Sequence, residues 1–185
     1  TVSSEQRCTS AAKPGKFDVL APRQRDFEYD ADHLDGRWVI RTNWDAPNFR
    51  LMTVPDGKWG DRNQWKELVG HDKNIFIDSF DVFKTFIAIE ERSEGLQKLR
   101  YFNLDGKNPI FVKTDEPAYT MAFSVNAEAD TEWLRYTYNS MTTPTSTIEV
   151  NVKTGEKKIL KQDPVLGDFN ADNYVTERVW APAKD

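Results

Sequence analysis

One cysteine, Cys8, in 185 residues excludes an internal disulfide, so nothing covalent staples the fold. Long hydrophobic runs are missing too. No stretch approaches the roughly 18 uninterrupted apolar residues of a helical membrane span, and the longest segment free of Asp, Glu, Lys and Arg, residues 136–148, is mostly Thr, Ser and Tyr. The first ten residues, TVSSEQRCTS, lack the apolar core of a secretory leader. Basic charge is in deficit: 25 Lys and Arg against 30 Asp and Glu leave a net charge of −5, which repels phosphate backbones. These absences lead to the expectation of a globular chain, cytoplasmic or, had a leader been removed, periplasmic, with no nucleic-acid and no membrane partner. Aliphatics are sparse as well, yet aromatic residues reach 12%, with 11 Phe, 6 Tyr and 6 Trp. Each ring buries a large area, so the aromatics can fill a core that aliphatics do not.

What is present in quantity is internal repetition. Three turn-like tetrapeptides, Pro55-Asp56-Gly57-Lys58, Leu104-Asp105-Gly106-Lys107 and Lys153-Thr154-Gly155-Glu156, have their glycines 49 residues apart each time. Glycine at a fixed place supplies the positive φ that joins two antiparallel strands tightly. Before each turn stand two β-branched and aromatic runs: Arg37–Thr42 and Phe49–Val54, Thr85–Glu90 and Leu99–Leu104, Trp133–Tyr138 and Thr147–Val152. A further run precedes each pair (Asp26–Asp30, Ile75–Phe80, Tyr119–Val125) and another follows each turn (Trp65–Val69, Pro109–Lys113, Lys157–Leu160). Helical periodicity is absent, apart from a turn or two over Arg62–Leu68. Four short antiparallel strands per unit predict an all-β fold, a partial, open β-propeller of about three and a half four-stranded blades. The expected division is a half blade at 1–24, blades at 25–72, 73–117 and 118–172, and one more strand, Tyr174–Trp180, within 173–185.

Four segments, NWDAPNFRL from Asn43, EERSEGLQKLR from Glu90, YNSMTTP from Tyr138 and ERVWAPAKD from Glu177, resemble successive stretches of the oligopeptidase B branch of the prolyl oligopeptidase family of serine peptidases. That resemblance implies a seven-bladed propeller capping an α/β-hydrolase domain with a Ser-Asp-His triad. It also implies cleavage of short peptides after Arg or Lys, with the propeller keeping folded proteins out. The chain then corresponds to the second half of the propeller. Its expected partners are the hydrolase domain of the same parent and, as the parent's substrates, short basic peptides. A rival expectation is a stand-alone binding module, two open arcs closing a ring as a homodimer. A propeller glycosidase ranks last, because no carboxylate pair for it can be picked out.

No serine stands in a G-x-S-x-G elbow, and His33 and His71 lie in polar, turn-like surroundings, so no catalytic triad is expected within the chain and the chain alone is expected to be inactive. Asp30-Ala31-Asp32-His33-Leu34-Asp35-Gly36 departs from a calcium loop at its fifth and sixth positions and reads as a polar turn. One Cys and two distant His leave zinc without ligands, and phosphate loops are missing, so neither metal nor cofactor is expected. Trp38, Phe86 and Trp133, on comparable strands, are expected between blades, whereas Trp44 and Trp59 are candidates for exposed contact surface. Charged residues near the hairpins joining second to third strands form the candidate site. They are Arg41 with Asp45, the run Glu90, Glu91 and Arg92, and Arg135 with Glu149, expected on one common face as domain-interface or peptide-cavity residues.

Overall fold

The computed structural model describes residues 2–184, and in it the 49-residue interval is a repeat of whole sheets. Two short strands, β1 (Arg7–Cys8) and β2 (Asp18–Val19), pair at the start of the chain. The first full blade is β3 (Tyr29–Leu34), β4 (Arg37–Thr42), β5 (Arg50–Pro55) and β6 (Lys66–Val69). The second is β7 (Phe76–Val82), β8 (Phe86–Ser93), β9 (Leu96–Asn103) and β10 (Ile110–Phe111). The third is β11 (Thr120–Phe123), β12 (Trp133–Asn139), β13 (Ser146–Asn151) and β14 (Lys157–Gln162). Every strand pairs antiparallel with its sequence neighbours inside its own blade, and among the described residues no sheet closes on another. The architecture is a partial, open propeller. Thr1 and Asp185, the outer limits of the expected half blade and final strand, lie outside the described residues.

Packing explains why the alternation of apolar residues is only partial in the sequence. A strand between two neighbouring blades is covered on both faces, so both its odd and its even positions are apolar. In β4, Ile40 joins Leu20, Tyr29, Met52 and Trp65 against the opening half blade, while Val39 joins Leu51, Ile77 and Phe102 against the second blade. In β8, Ile87 and Ile89 face the first blade, while Phe86 and Ala88 join Leu99, Met121, Leu134 and Tyr136 against the third. Three apolar clusters thus fill the three gaps between successive sheets. The half blade is further tied by the Tyr29 hydroxyl, which accepts from the Gln6 N–H at 2.7 Å and donates to the Ala21 carbonyl at 2.9 Å.

The repeated glycines occupy the third-to-fourth strand turns, with φ of 74°, 80° and 76° at Gly57, Gly106 and Gly155. Only at Gly106 does a second demand apply: a Cβ there would lie 2.3 Å from the carbonyl oxygen of Leu68, so the turn of the second blade abuts the backbone of the first. Two other hairpins, Asp35-Gly36 and Glu94-Gly95, have positive φ at both residues and join their strands without further loop.

Several sequence expectations are corrected. Tyr174–Trp180 is not a strand; it follows a 3₁₀ turn at Ala171–Asn173, capped by the Asn170 side chain, and runs without ladder partners. Its composition suits a strand, but a strand exists only where another offers its backbone. Asp30–Leu34 is the body of β3, and the turn is Asp35-Gly36 alone. Helical structure in 62–68 shrinks to a 3₁₀ turn at Arg62–Gln64, followed by β6. Trp44 and Trp59 are half-buried against the first cluster, with ring centroids 6.1 Å from Trp65 and Trp38 respectively. Phe86 lies between blades as expected.

Candidate functional site

In a four-strand meander the hairpin from second to third strand and the link from the fourth to the next blade emerge at the same end. That end of the arc carries loop 43–49, the Glu94-Gly95 turn, loop 140–145 and the links 70–75 and 112–119. Arg41, at the rim end of β4, is buried. Its Nε donates to the Ile77 carbonyl of the second blade at 2.7 Å, its Nη1 donates to Asp30 Oδ2 at 2.8 Å, and its guanidinium carbon lies 3.6 Å from the centre of the Phe49 ring. Phe49 is held there at φ 66°, a backbone conformation that costs a bulky residue energy. Burial lowers the Arg41 pKa against the pull of Asp30, Asp78 and Glu28. The expected pairing with Asp45 does not form: Asp45 is exposed on the loop, and the carboxylate partner of Arg41 is Asp30.

The run Glu90, Glu91, Arg92 is split by strand alternation. Glu90 leans to the third blade, accepting from the Phe123 N–H at 3.1 Å and from Gln97 Nε2 at 2.8 Å; burial raises its pKa. Glu91 is buried beside Arg100, whose Nε donates to its Oε2 at 2.7 Å, and its Oε1 has no partner. Arg92 is exposed and lies 3.3 Å from Asp78, the extra residue of a bulge in β7. Arg135 and Glu149 are cross-strand partners, Nη2 to Oε1 2.7 Å, but they sit away from the rim. They line a cavity of about 280 Å³ with Trp133 and the 125–131 loop at the other end of the third blade. The alternation of β12 turns them to the face opposite Leu134 and Tyr136, so they do not share a surface with Arg41 and Glu90.

Sequence reasoning missed the most heavily bonded group. The carboxylate of Glu116, on the link to the third blade, accepts from Ser140 Oγ, Thr142 Oγ1 and the Tyr138 hydroxyl at 2.5 Å each and from Thr143 Oγ1 at 2.9 Å. Thr176 Oγ1 approaches at 3.5 Å. Burial by itself would raise the pKa, but the donated hydroxyls outweigh it and hold the carboxyl at about 2. The hydroxyl-rich run YNSMTTP facing TDEP was the available signal. A cavity of about 390 Å³ lies beside this cage, walled by Met121, Tyr136 and Ile148.

The inner edge of the arc is acidic. The first strands β3 and β7 are in contact and carry Asp30, Asp32, Asp78 and Asp81. Burial raises the pKa of Asp81, the Asn126 amide donating at 3.0 Å opposes this, and Asp32 adds to the rise. Among the described residues no group of three or more His, Cys, Asp or Glu side chains is gathered to hold a metal ion.

A meandering four-stranded antiparallel repeat is the architecture of a propeller domain. Residues 1–163 fit the family described as prolyl oligopeptidase, N-terminal beta-propeller domain, and the chain belongs to that family. Dipeptidyl aminopeptidase BI of Pseudoxanthomonas mexicana is 54% identical over 186 residues, covering all of this chain and 25% of that protein. Protease 2 of Moraxella lacunata is 29% identical over 166 residues, covering 89% of the chain and 23% of that protein. Among solved structures, oligopeptidase B from Leishmania major superposes with a TM-score of 0.87 at 25% identity, over 99% of this chain and 27% of that one. The chain therefore spans about a quarter of the length of these relatives.

Proposed function

We propose that this chain is the substrate-admitting part of a serine oligopeptidase that acts on short peptides bearing a positive charge, with the Ser-His-Asp chemistry supplied by a hydrolase domain outside the chain. The observation that carries the reading is the acidic inner edge. Four aspartates on β3 and β7 stand against two guanidinium groups, Arg41 and Arg92, so a cationic peptide gains and an anionic one loses on approach. Cleavage after Arg or Lys is the finer form of this proposal. The 54% identity to a dipeptidyl aminopeptidase favours a second form, release of dipeptides from a free amino end, whose ammonium the same edge would attract. The rim, through Arg92 and neighbouring polar groups, is the surface proposed to meet the hydrolase domain.

The test uses the intact protein and a dipeptide reporter ending in Arg, with its amino terminus free or acetylated. Asp32→Asn and Asp78→Asn should each lower kcat/KM for the cationic reporter by about tenfold, the loss shrinking in high salt. An equal loss for a neutral reporter would overturn the charge argument. Preference for the free over the acetylated terminus would select the dipeptidyl form.

A further inference from the structure

Segment 174–180 has no ladder partner, yet it is not loose. Tyr174, Val175, Val179 and Trp180 are 61%, 80%, 84% and 78% exposed, while Thr176 between them is only 8% exposed. Thr176 Oγ1 lies 3.5 Å from both Glu116 Oε1 and Thr142 Oγ1. Two residues on, the Arg178 guanidinium donates to the Glu94 carbonyl in the hairpin of the second blade, over Gly95. One pin sits on the third blade's rim and the other on the second's.

We propose that the Glu116 hydroxyl cage and the Glu94-Gly95 turn form a two-point clasp that fixes where segment 174–180 leaves the propeller. Both pins are polar and point-like, and the stretch between them buries almost nothing apolar. Their geometry therefore sets the direction of the segment, and with it the angle at which a domain joined to it meets the rim. The Glu116 carboxylate is the organising group. It collects hydroxyls from one strand end and its hairpin (Tyr138, Ser140, Thr142, Thr143) and from the segment itself (Thr176), so loss of its charge frees all of them together. The angular consequence rests on the peptidase reading above; the clasp itself does not.

Limited digestion of the intact protein with chymotrypsin reads the clasp at Tyr174 and Trp180. Thr176→Val should raise the cleavage rate at these two sites by about tenfold, because opening of the segment is then opposed by one pin only. Thr176→Ser, which keeps the hydroxyl, should stay within about twofold of the parent. Glu116→Gln should behave like Thr176→Val; should that variant fold poorly, the Thr176 pair decides alone. Wild-type rates in Thr176→Val, or equal acceleration in Thr176→Ser and Thr176→Val, would overturn the clasp. The digestion pattern is independent of peptidase activity, so a failure of the substrate reading leaves this test intact.

Discussion

The two joints between full blades are built from the same fold but closed by opposite charges. Between the first and second blades the filling is largely aliphatic, with Val39, Leu51, Ile77, Ile87 and Ile89, and the rim is closed by a cation, Arg41, reaching to the backbone of Ile77. Between the second and third the filling is aromatic, with Phe83, Phe86, Tyr101, Tyr136 and Tyr138, and the rim is closed by anions, Glu90 and Glu116, each gathering donors from across the joint. Strand pairing stays inside each blade, and the backbone crosses the joints at isolated points, the Ile77 N–H donating to the Asn48 carbonyl at 3.1 Å and the Lys84 N–H to the Ala129 carbonyl at 2.9 Å, so side chains supply most of what holds neighbouring blades together. The rim end of a joint accepts either sign of charge provided the partner groups match.

The largest expected break in this comparison comes from the aromatic joint. Phe86→Ala removes a ring stacked on Phe83 at 4.1 Å and should destabilise by about 3–5 kcal/mol in denaturant unfolding, against about 2–4 for Ile87→Ala in the aliphatic joint. Gly106→Ala comes next. Its Cβ meets the Leu68 carbonyl, so the cost should be about 2–4 kcal/mol. Gly57→Ala and Gly155→Ala, with open space around them, should each cost about 1 kcal/mol from the positive φ alone.

Acid should separate the joints further. Glu116 has a folded pKa of about 2 against an ordinary 4.5, so its contribution is complete above pH 4.5 and disappears as the pH falls toward 2. That loss, on the order of 2 kcal/mol, should vanish from the pH–stability curve of Glu116→Gln. Glu90 runs the other way: its raised pKa means the folded state holds its proton more tightly, so stability falls as the pH rises above the ordinary carboxylate range. Glu90→Gln should flatten that decline. Arg41→Lys should cost as little as the two open-glycine variants, about 1 kcal/mol, since one donor still reaches a carbonyl or Asp30 while the stacking on Phe49 is lost.

The blade count and most strands were legible because they depend on local signals: glycines at a 49-residue interval and β-branched or aromatic runs between them. The partners of charged residues were not. Arg41 and Asp45 are close in the chain, but hairpin register hands Arg41 to Asp30, directly opposite it on β3. Glu90, Glu91 and Arg92 are consecutive, and for that reason strand alternation turns Glu91 toward Arg100 and leaves Glu90 and Arg92 on the other face, where Arg92 meets Asp78. Glu116 was missed for the opposite reason: its donors lie 22 to 60 residues away, so the hydroxyl-rich run and TDEP are joined only by the fold. Tyr174–Trp180 misled because propensity describes a residue and a strand is a property of a pair.

Each of the three apolar clusters is confined to a single gap, and none spans more than two sheets. Such a molecule obeys nearest-neighbour energetics: damage in one layer weakens the layers it touches and leaves remote ones as they were. Substitutions at Leu20 and Leu134 should therefore add as independent costs. Loss of order should travel inward from a terminal sheet, like unzipping, and not as one concerted collapse.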